Sequence, residues 1–410
     1  MIKMSTKRVR SSSKKSTVKK KTTKNSNKKL TSKKEVEKEK KKEISEESLI
    51  VIENIDFYAN QILKGFINGN PTIEIPIRGK SNVEYDEERG IIKVLDKSKV
   101  SERSFQNIAH TKKFMQYIMV LNFCKKLLKT NSTSDLRDLY YSLKRKIPGT
   151  RNKTFDSQEE SNPIIEDIEV AMDIWRERLH ISADPKGYIV GDIIFTQKLK
   201  NKDQRIDCNE MGTGWGIPSN VERDILDIEN VNAKYLLAIE SAGMYSRLVE
   251  ENFHENNKCI LIALKGQASR GTRRLINRIA YEKNIPVYVF VDGDPWGFYI
   301  YSVLKFGSMS LSFIGSKLAT PKAKFIGMTM EDISDYKLED STHPLSKVDI
   351  KRIDDLLDLP WFQNDEWQTE LKLMKKIQKR IEQQALASRS LDFVATTYLP
   401  EKIKNKKFLP

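Results

Sequence analysis

The chain has 410 residues, a formal net charge of +16 and 39% hydrophobic residues, enough for two or three domains with cores of their own. No run of about 18 apolar residues is present, which excludes a membrane-spanning helix. Cys124, Cys208 and Cys259, like His110, His180, His254 and His343, are scattered; they show neither zinc nor disulfide spacing and suit a reducing cytoplasm.

Residues 1–42 carry 18 Lys and Arg against 3 Asp and Glu, leaving 54 basic and 53 acidic residues on the rest of the chain. The body is therefore nearly neutral and the basic character belongs to the tail. With no aromatic and few aliphatic residues, the tail cannot bury enough surface to offset its ordering entropy, so disorder is expected over 1–45. It is either a solvated extension or an arm held to nucleic acid by counterion release. Its basic start lacks the apolar core of a signal peptide.

From Leu49 to Phe66, apolar residues at helical spacing (Leu49, Ile52, Ile55, Ile62, Leu63, Phe66) predict an amphipathic helix. It would pack on its own body or dock on a partner, and Asn68-Gly69-Asn70-Pro71 ends it. Strand-like runs follow at Thr72–Ile77 and Gly90–Leu95. A helix is expected from about Thr111 to Leu128, with Phe114, Met115, Ile118, Met119, Leu121 and Leu127 inward. After a polar turn, Ser134 or Thr133 is positioned to cap the next helix, with Asp135 in its first turn. That helix carries Leu136, Leu139, Tyr140, Tyr141 and Leu143 and stops at Ile147-Pro148-Gly149. Helices joined by a short turn beside strands suggest a winged helix-turn-helix.

Arg151–Asn162 reads as a linker or exposed loop. Beyond it the pattern alternates between strand and helix: Tyr188–Phe195, Tyr235–Ile239, Cys259–Leu264 and Val287–Val291 are apolar runs, Gly271–Glu282 is a basic helix, and Asp349–Thr397 is mostly helical. Such runs between helices indicate an α/β fold with a parallel sheet buried on both faces.

Three sets of residues carry possible chemistry. Tyr140 and Tyr141 point about 100° apart on a helix, so one packs while the other faces a groove; alone, such a pair is ordinary core and rim. Glu240 and Asp292 fall at carboxyl ends of predicted strands, the edge where open α/β sheets bind ligands, and Asp294 follows in a Gly-Asp-Pro turn. Three carboxylates on one edge suit Mg²⁺, although Asp292-Gly293-Asp294-Pro295 also has the composition of a plain turn. Lys265, Arg270, Arg273 and Arg274 open a helix after a strand, where they either face a DNA phosphate or form a solvated basic face. The Gly-Lys-Ser/Thr ending of a P-loop is absent.

Several motifs in one order resemble a known family, the DNA-cleaving subunits of archaeal DNA topoisomerase VI and the related meiotic double-strand-break transesterases. Arg137-Asp138-Leu139-Tyr140-Tyr141-Ser142 resembles the family's catalytic motif, with Tyr141 at the nucleophile position. Ile239-Glu240-Ser241-Ala242-Gly243-Met244 is similar to the Toprim glutamate strand, with Ser241 where lysine is frequent. Lys265-Gly266-Gln267, Asp292-Gly293-Asp294-Pro295-Trp296-Gly297, Phe325-Ile326-Gly327-Met328-Thr329, Gln384 to Ser388 and Tyr398 to Lys402 resemble further family segments. The likeness spans about residues 70–400.

The resemblance implies a CAP-like winged helix over 71–155 with the catalytic tyrosine and a Toprim domain over 165–410; the amphipathic helix over 46–70 lies outside it, and its apolar stripe alone marks it either for docking a B subunit or for packing on its own body. The resemblance also implies a homodimer of this chain inside a heterotetramer with two ATP-hydrolysing B subunits, double-stranded DNA as substrate, and sites completed across the dimer. By the same likeness, Tyr141 would form a 5′-phosphotyrosyl link, Arg137 would clamp a phosphate, and Glu240, Asp292 and Asp294 would hold Mg²⁺. A phenol titrates near 10 and needs such help near neutral pH. The competing readings are a break-forming transesterase without efficient resealing, a hydrolytic Toprim nuclease and a non-catalytic DNA-binding architectural protein.

Overall fold

The structure, a computed structural model, describes residues 44–199 and 202–410; the expected tail lies outside the described residues. Helix α1 (Glu46–Ile67) is capped by Ser45, whose side chain accepts from the Ser48 amide. Its buried face is Val51, Ile52, Ile55 and Ile62, whereas Leu49, Leu63 and Phe66 remain 46%, 57% and 46% exposed. The middle of the predicted stripe thus packs on this chain's own core, and Phe66 at its end, though half-exposed, still sets its ring against Phe105 and Phe114.

Strand β1 (Thr72–Pro76) anticipates a hairpin, β2 (Val83–Asp86) with β3 (Ile91–Val94), before pairing antiparallel with β4 (Val100–Ser104). Helix α2 (Ile108–Thr130) turns a different face inward than expected. Tyr117, Val120, Cys124 and Leu128 join Phe114, Leu121 and Leu127, while Met115, Ile118 and Met119 are only half-buried. Tyr117 and Cys124 supply inward bulk that a count of aliphatics alone overlooks. Strand β5 (Ser134–Asp135) pairs parallel with β6 (Ile181–Ser182) and leads into α3 (Leu136–Leu143). Asp135, rather than Ser134 or Thr133, caps α3: it stands directly before the first helical residue, and its carboxylate accepts from the Asp138 amide at 2.6 Å. The expected loop 151–162 is also corrected. Thr154 and Phe155 are buried, and α4 (Gln158–Met172) starts inside it, with Pro163 inside the helix.

The predicted strand Tyr188–Phe195 is two strands in two sheets, β7 (Tyr188–Val190) and β8 (Ile193–Lys198). Gly191 makes the break: its φ is +124°, and a Cβ there would meet the Cys259 carbonyl oxygen at 2.5 Å. Strand β8 lies between β9 (Asp203–Asp207) and β11 (Leu226–Val231) in an antiparallel sheet. The second sheet has six strands in the order β10 (Trp215–Gly216), β7, β13 (Cys259–Ala263), β12 (Tyr235–Ile239), β14 (Val287–Phe290), β15 (Lys324–Gly327). From β13 to β15 it is parallel, and β7 and β10 form an antiparallel edge. Every residue of β12 and β13 is buried, matching a sheet covered on both faces. The crossovers carry α5 (Ala242–Glu250), α6 (Phe253–Asn257), α7 (Arg270–Glu282) and α8 (Pro295–Phe306).

Helices Lys347–Leu357 and Asp365–Ile377 follow, and a short strand, Lys379–Ile381, returns the chain to the sheet. Trp367 is fully buried among Phe298, Tyr301, Phe325 and Phe362, and its indole donates to the Pro410 carbonyl at 2.7 Å. That packing ties the C-terminus to the core; truncating such a side chain costs about 3–5 kcal/mol. The three cysteines are free and buried, and among the described residues no helix is long and apolar enough to cross a membrane.

Candidate active site

The carboxyl edge of the parallel sheet gathers the acids. Glu240 follows β12 directly, and Asp292 stands two residues past β14. Oε2 of Glu240 accepts from the Asp292 amide at 3.0 Å, which brings the two acidic positions together. Oδ1 of Asp292 accepts from the Gln383 amide at 2.8 Å. Asp294 caps α8 by accepting from the Gly297 amide at 2.6 Å, and its other oxygen lies 3.5 Å from the Arg380 guanidinium.

Burial is the chief reason these groups resist ionising. It pushes Glu240 up to about 7, with the charges of Asp292 and Asp294 adding to the effect. Asp292 rises to about 6 through burial, with Asp294 and Glu382 adding their repulsion. Asp294 is also raised by burial, while its cap bond and Arg380 oppose the shift. Carboxylates that repel at one edge are the donor chemistry of a hard divalent cation. As placed, however, Glu240 is turned to an amide and Asp294 to its cap and Arg380. Among the described residues no group of three or more His, Cys, Asp or Glu side chains already converges as a cation cage.

The tyrosine pair sits elsewhere. Tyr140 is buried on α3; its hydroxyl donates to the Asp156 carbonyl at 2.9 Å and accepts from Lys144 Nζ at 2.6 Å. Tyr141, one residue on, is 63% exposed, with its ring set edge-on to Tyr140 at 5.1 Å. Anchoring one ring leaves the neighbouring ring free to face a ligand. Arg137 is exposed in the first turn of the same helix. Within one chain, α3 packs on α2, α4 and β5; among the described residues, no hydrogen bond or ion pair joins it to the acidic edge.

The basic helix departs from expectation. Arg270 makes a two-pronged pair with Glu169 at 2.7 and 2.8 Å and lies 3.6 Å from Glu177. Arg274 grips Glu222 at 2.8 and 3.1 Å. Arg273 is buried, its Nε and Nη1 without partners, and burial pushes it down to about 10. These three arginines form neither a solvated face nor a free phosphate cradle, because Glu169 and Glu222 hold Arg270 and Arg274 and Arg273 is buried. Lys265 alone of the four is exposed, 4.9 Å over the Tyr188 ring.

Sequence reasoning did not find Lys144, Arg380 or Gln383. Each reaches the site through contacts distant in sequence or through a neighbour's hydroxyl, and no local motif marks them.

Comparison with known proteins brings these parts together. Residues 112–181 match the family described as type IIB DNA topoisomerase, and residues 235–403 match the Toprim domain shared by Spo11 and the A subunit of topoisomerase 6. The chain is 46% identical over 372 residues to the A subunit of type 2 DNA topoisomerase 6 from Pyrococcus abyssi, covering 88% of this chain and 95% of that protein. The corresponding A subunits of Methanocaldococcus jannaschii and Natronomonas pharaonis are 39% and 38% identical, with 89% and 88% of this chain and 95% of each relative covered. With its exposed tyrosine and its acidic sheet edge inside the two matched regions, this chain belongs to the family of topoisomerase 6 A subunits.

Proposed function

We propose that the chain is the DNA-cleaving subunit of a type IIB DNA topoisomerase, with Tyr141 as its nucleophile. The observation that carries this reading is an exposed phenol beside an anchored aromatic, in a chain that also gathers Glu240 and Asp292 at one sheet edge. The Tyr141 oxygen attacks a backbone phosphorus of double-stranded DNA. A tyrosyl–phosphate bond forms at the 5′ end, the bond to the 3′ oxygen breaks, the phenolic proton is lost and the leaving oxygen gains one. Reversal reseals the strand.

Glu240 would also move a proton at the leaving oxygen, the role of a positioned carboxylate in general acid–base catalysis. Glu240 and Asp292 would hold Mg²⁺, with Asp294 joining them on release from Arg380. The ion would supply charge stabilisation at the phosphate oxygens. Arg137 contacts a phosphate, and its exposure leaves it available for that role. Lys265 is a second backbone contact beside the acids.

The elements from α2 to α4, packed on the β1–β4 pair, act as the winged helix that presents Tyr141 to DNA, whereas the β2–β3 hairpin packs on the sheet domain. Among the described residues, no hydrogen bond or ion pair ties Tyr141 to the acids of its own chain. Two copies of the chain therefore pair, and one protomer's tyrosine works at its partner's acids, within a heterotetramer carrying ATP-hydrolysing B subunits. Nothing observed favours a break-forming enzyme that does not reseal. The test is a cleavage assay with purified B subunit, labelled supercoiled DNA, Mg²⁺ and ATP. The expected product is a covalent adduct mapped to Tyr141; an adduct on another residue, or none, rejects the assignment.

A further inference from the structure

Strands β12 and β14 run parallel in register as far as Ile239 and Phe290. Past that pair the Glu240 amide still donates to the Phe290 carbonyl at 3.0 Å. The chains then diverge into α5 and α8, and the ladder has no further rung of its own. The Gln383 side chain fills the opening. Its Oε1 accepts from the Ser241 amide at 3.2 Å, and its Nε2 donates to the Phe290 carbonyl at 2.8 Å. A side-chain amide carries N–H donors and a C=O acceptor in one plane, as a peptide unit does. Only one orientation satisfies both neighbours, because the Ser241 group is a donor and the Phe290 group an acceptor. The backbone amide of the same residue holds Oδ1 of Asp292 at 2.8 Å. Gln383 therefore touches the residue after Glu240, the end of the strand before Asp292, and the Asp292 carboxylate itself. It is fully buried.

Backbone contacts, rather than the acids, set where Gln383 stands. Gly293 and Ile381 exchange hydrogen bonds in both directions, at 2.8 and 3.1 Å. A Cβ at residue 293 would meet Ile381 Cγ2 at 2.8 Å and the Met328 carbonyl oxygen at 2.9 Å, so this close approach requires glycine. The bridge sets the register of the returning segment, and two residues later that register delivers Gln383 to the acidic edge.

We propose that Gln383 is the positioning residue of the acidic pair, fixing the spacing of the Glu240 and Asp292 carboxylates so that they receive a divalent cation together. The inference rests on the metal reading above. Two carboxylates that repel would turn apart if the strands bearing them were free to spread. A cation binds tightly only where its donors are held against that repulsion. Losing an outer partner of this kind weakens metal binding by about 10–100-fold.

The probe is Mn²⁺, titrated by calorimetry and by the loss of its free electron-spin signal into full-length protein without DNA. Wild type, Gln383→Met and Gln384→Ala are compared, with thermal melts alongside. Gln383→Met keeps the side chain's length and removes both of its amide bonds. It is expected to bind Mn²⁺ about 10–100-fold more weakly than wild type. Gln384, whose side chain is exposed and reaches only the Ser241 hydroxyl, should bind as wild type when changed to alanine. A purely structural role would lower the melting temperature of Gln383→Met and leave its Mn²⁺ affinity untouched; that result overturns the inference. Should Gln383→Met fail to fold, Gln383→Asn keeps the amide one methylene short of its partners, and wild-type affinity there is equally fatal. Absence of Mn²⁺ binding by wild type overturns the metal reading, and this inference falls with it. Binding that survives at Gln383 variants overturns the role of Gln383 alone.

Discussion

The helix that bears Tyr141 and the sheet edge that bears Glu240 and Asp292 are built on opposite plans. Helix α3 is one short amphipathic element with a single side-chain cap, and it leaves its tyrosine 63% exposed. The acidic edge is buried, cross-braced by residues about 50 to 140 positions apart, and held on a fully apolar sheet. A nucleophile must reach a large polymer and later withdraw from it, so its helix favours access. Carboxylates gathered for a cation must keep their spacing against mutual repulsion, so their support favours rigidity. The accessible member of the pair is built locally, whereas the fixed one draws on the whole domain.

The sharpest way to break this comparison is to exchange the roles of the two tyrosines. Tyr141→Phe should abolish the covalent adduct while leaving DNA binding near wild type, because only an exposed hydroxyl is lost. Tyr140→Phe should still form adduct but melt earlier, since it loses bonds to Asp156 and Lys144. An adduct gel and a melt on each variant decide it. Co-assembly sharpens the point: a mixed dimer of Tyr141→Phe and Glu240→Gln chains should nick one strand if sites are shared. Complete inactivity in a verified mixed dimer would reject sharing.

Next in size is the acidic edge itself. Asp292→Asn should slow cleavage by about 10²–10³-fold, and chelation should do the same to the wild type. Its effect on stability has the opposite sign. The folded-state values of Glu240 and Asp292 are raised, to about 7 and about 6, so the folded chain binds more protons than the unfolded chain between their ordinary values and these. Their contribution to stability therefore falls as pH rises from about 4 to about 7. Metal-free Asp292→Asn should melt about 1–2 °C above wild type at pH 8, roughly 1 kcal/mol once solvent screening is discounted, with little difference at pH 4. Equal melting curves at pH 8 would mean that the two acids are not in conflict.

A third test concerns Arg270. Breaking its buried pair with Glu169 by Arg270→Ala should destabilise the fold by about 3–5 kcal/mol, with little change in the salt dependence of DNA binding. Urea unfolding and a salt titration give the two numbers. Strong loss of DNA affinity in a stable protein would restore Arg270 to the DNA-contacting set.

Helix α1 sets up a smaller contrast within one element. Ile55→Glu should unfold the N-terminal part, because Ile55 is 2% exposed; Leu63→Glu with Ile67→Glu should leave melting unchanged, because those side chains are 57% and 84% exposed. If α1 also docks the B subunit, the double variant should weaken that association in a pull-down. Normal association would assign α1 to its own chain alone. Least of all, removing residues 1–42 should reduce the steepness with which DNA affinity falls as salt rises, and leave cleavage intact. An unchanged slope makes that segment a solvated extension.

What the sequence determined is what short-range rules control. Helical spacing located α1, α2 and α3, apolar β-branched runs located β12, β13 and β14, and strand ends placed Glu240 and Asp292 on one edge. Motif order identified the family, since each motif is contiguous. Tertiary structure decided everything that depends on residues meeting from afar. It split Tyr188–Phe195 between two sheets at Gly191, because the backbone of β13 leaves no room for a Cβ there. It turned Arg270, Arg273 and Arg274 inward, because Glu169 and Glu222 stand on segments that fold against α7. It brought Gln383 to the acids through a bridge at Gly293, a contact invisible in sequence because its partners are 88 to 142 residues apart. Charge and periodicity are properties of a segment, whereas the partner a charge finds is a property of the fold.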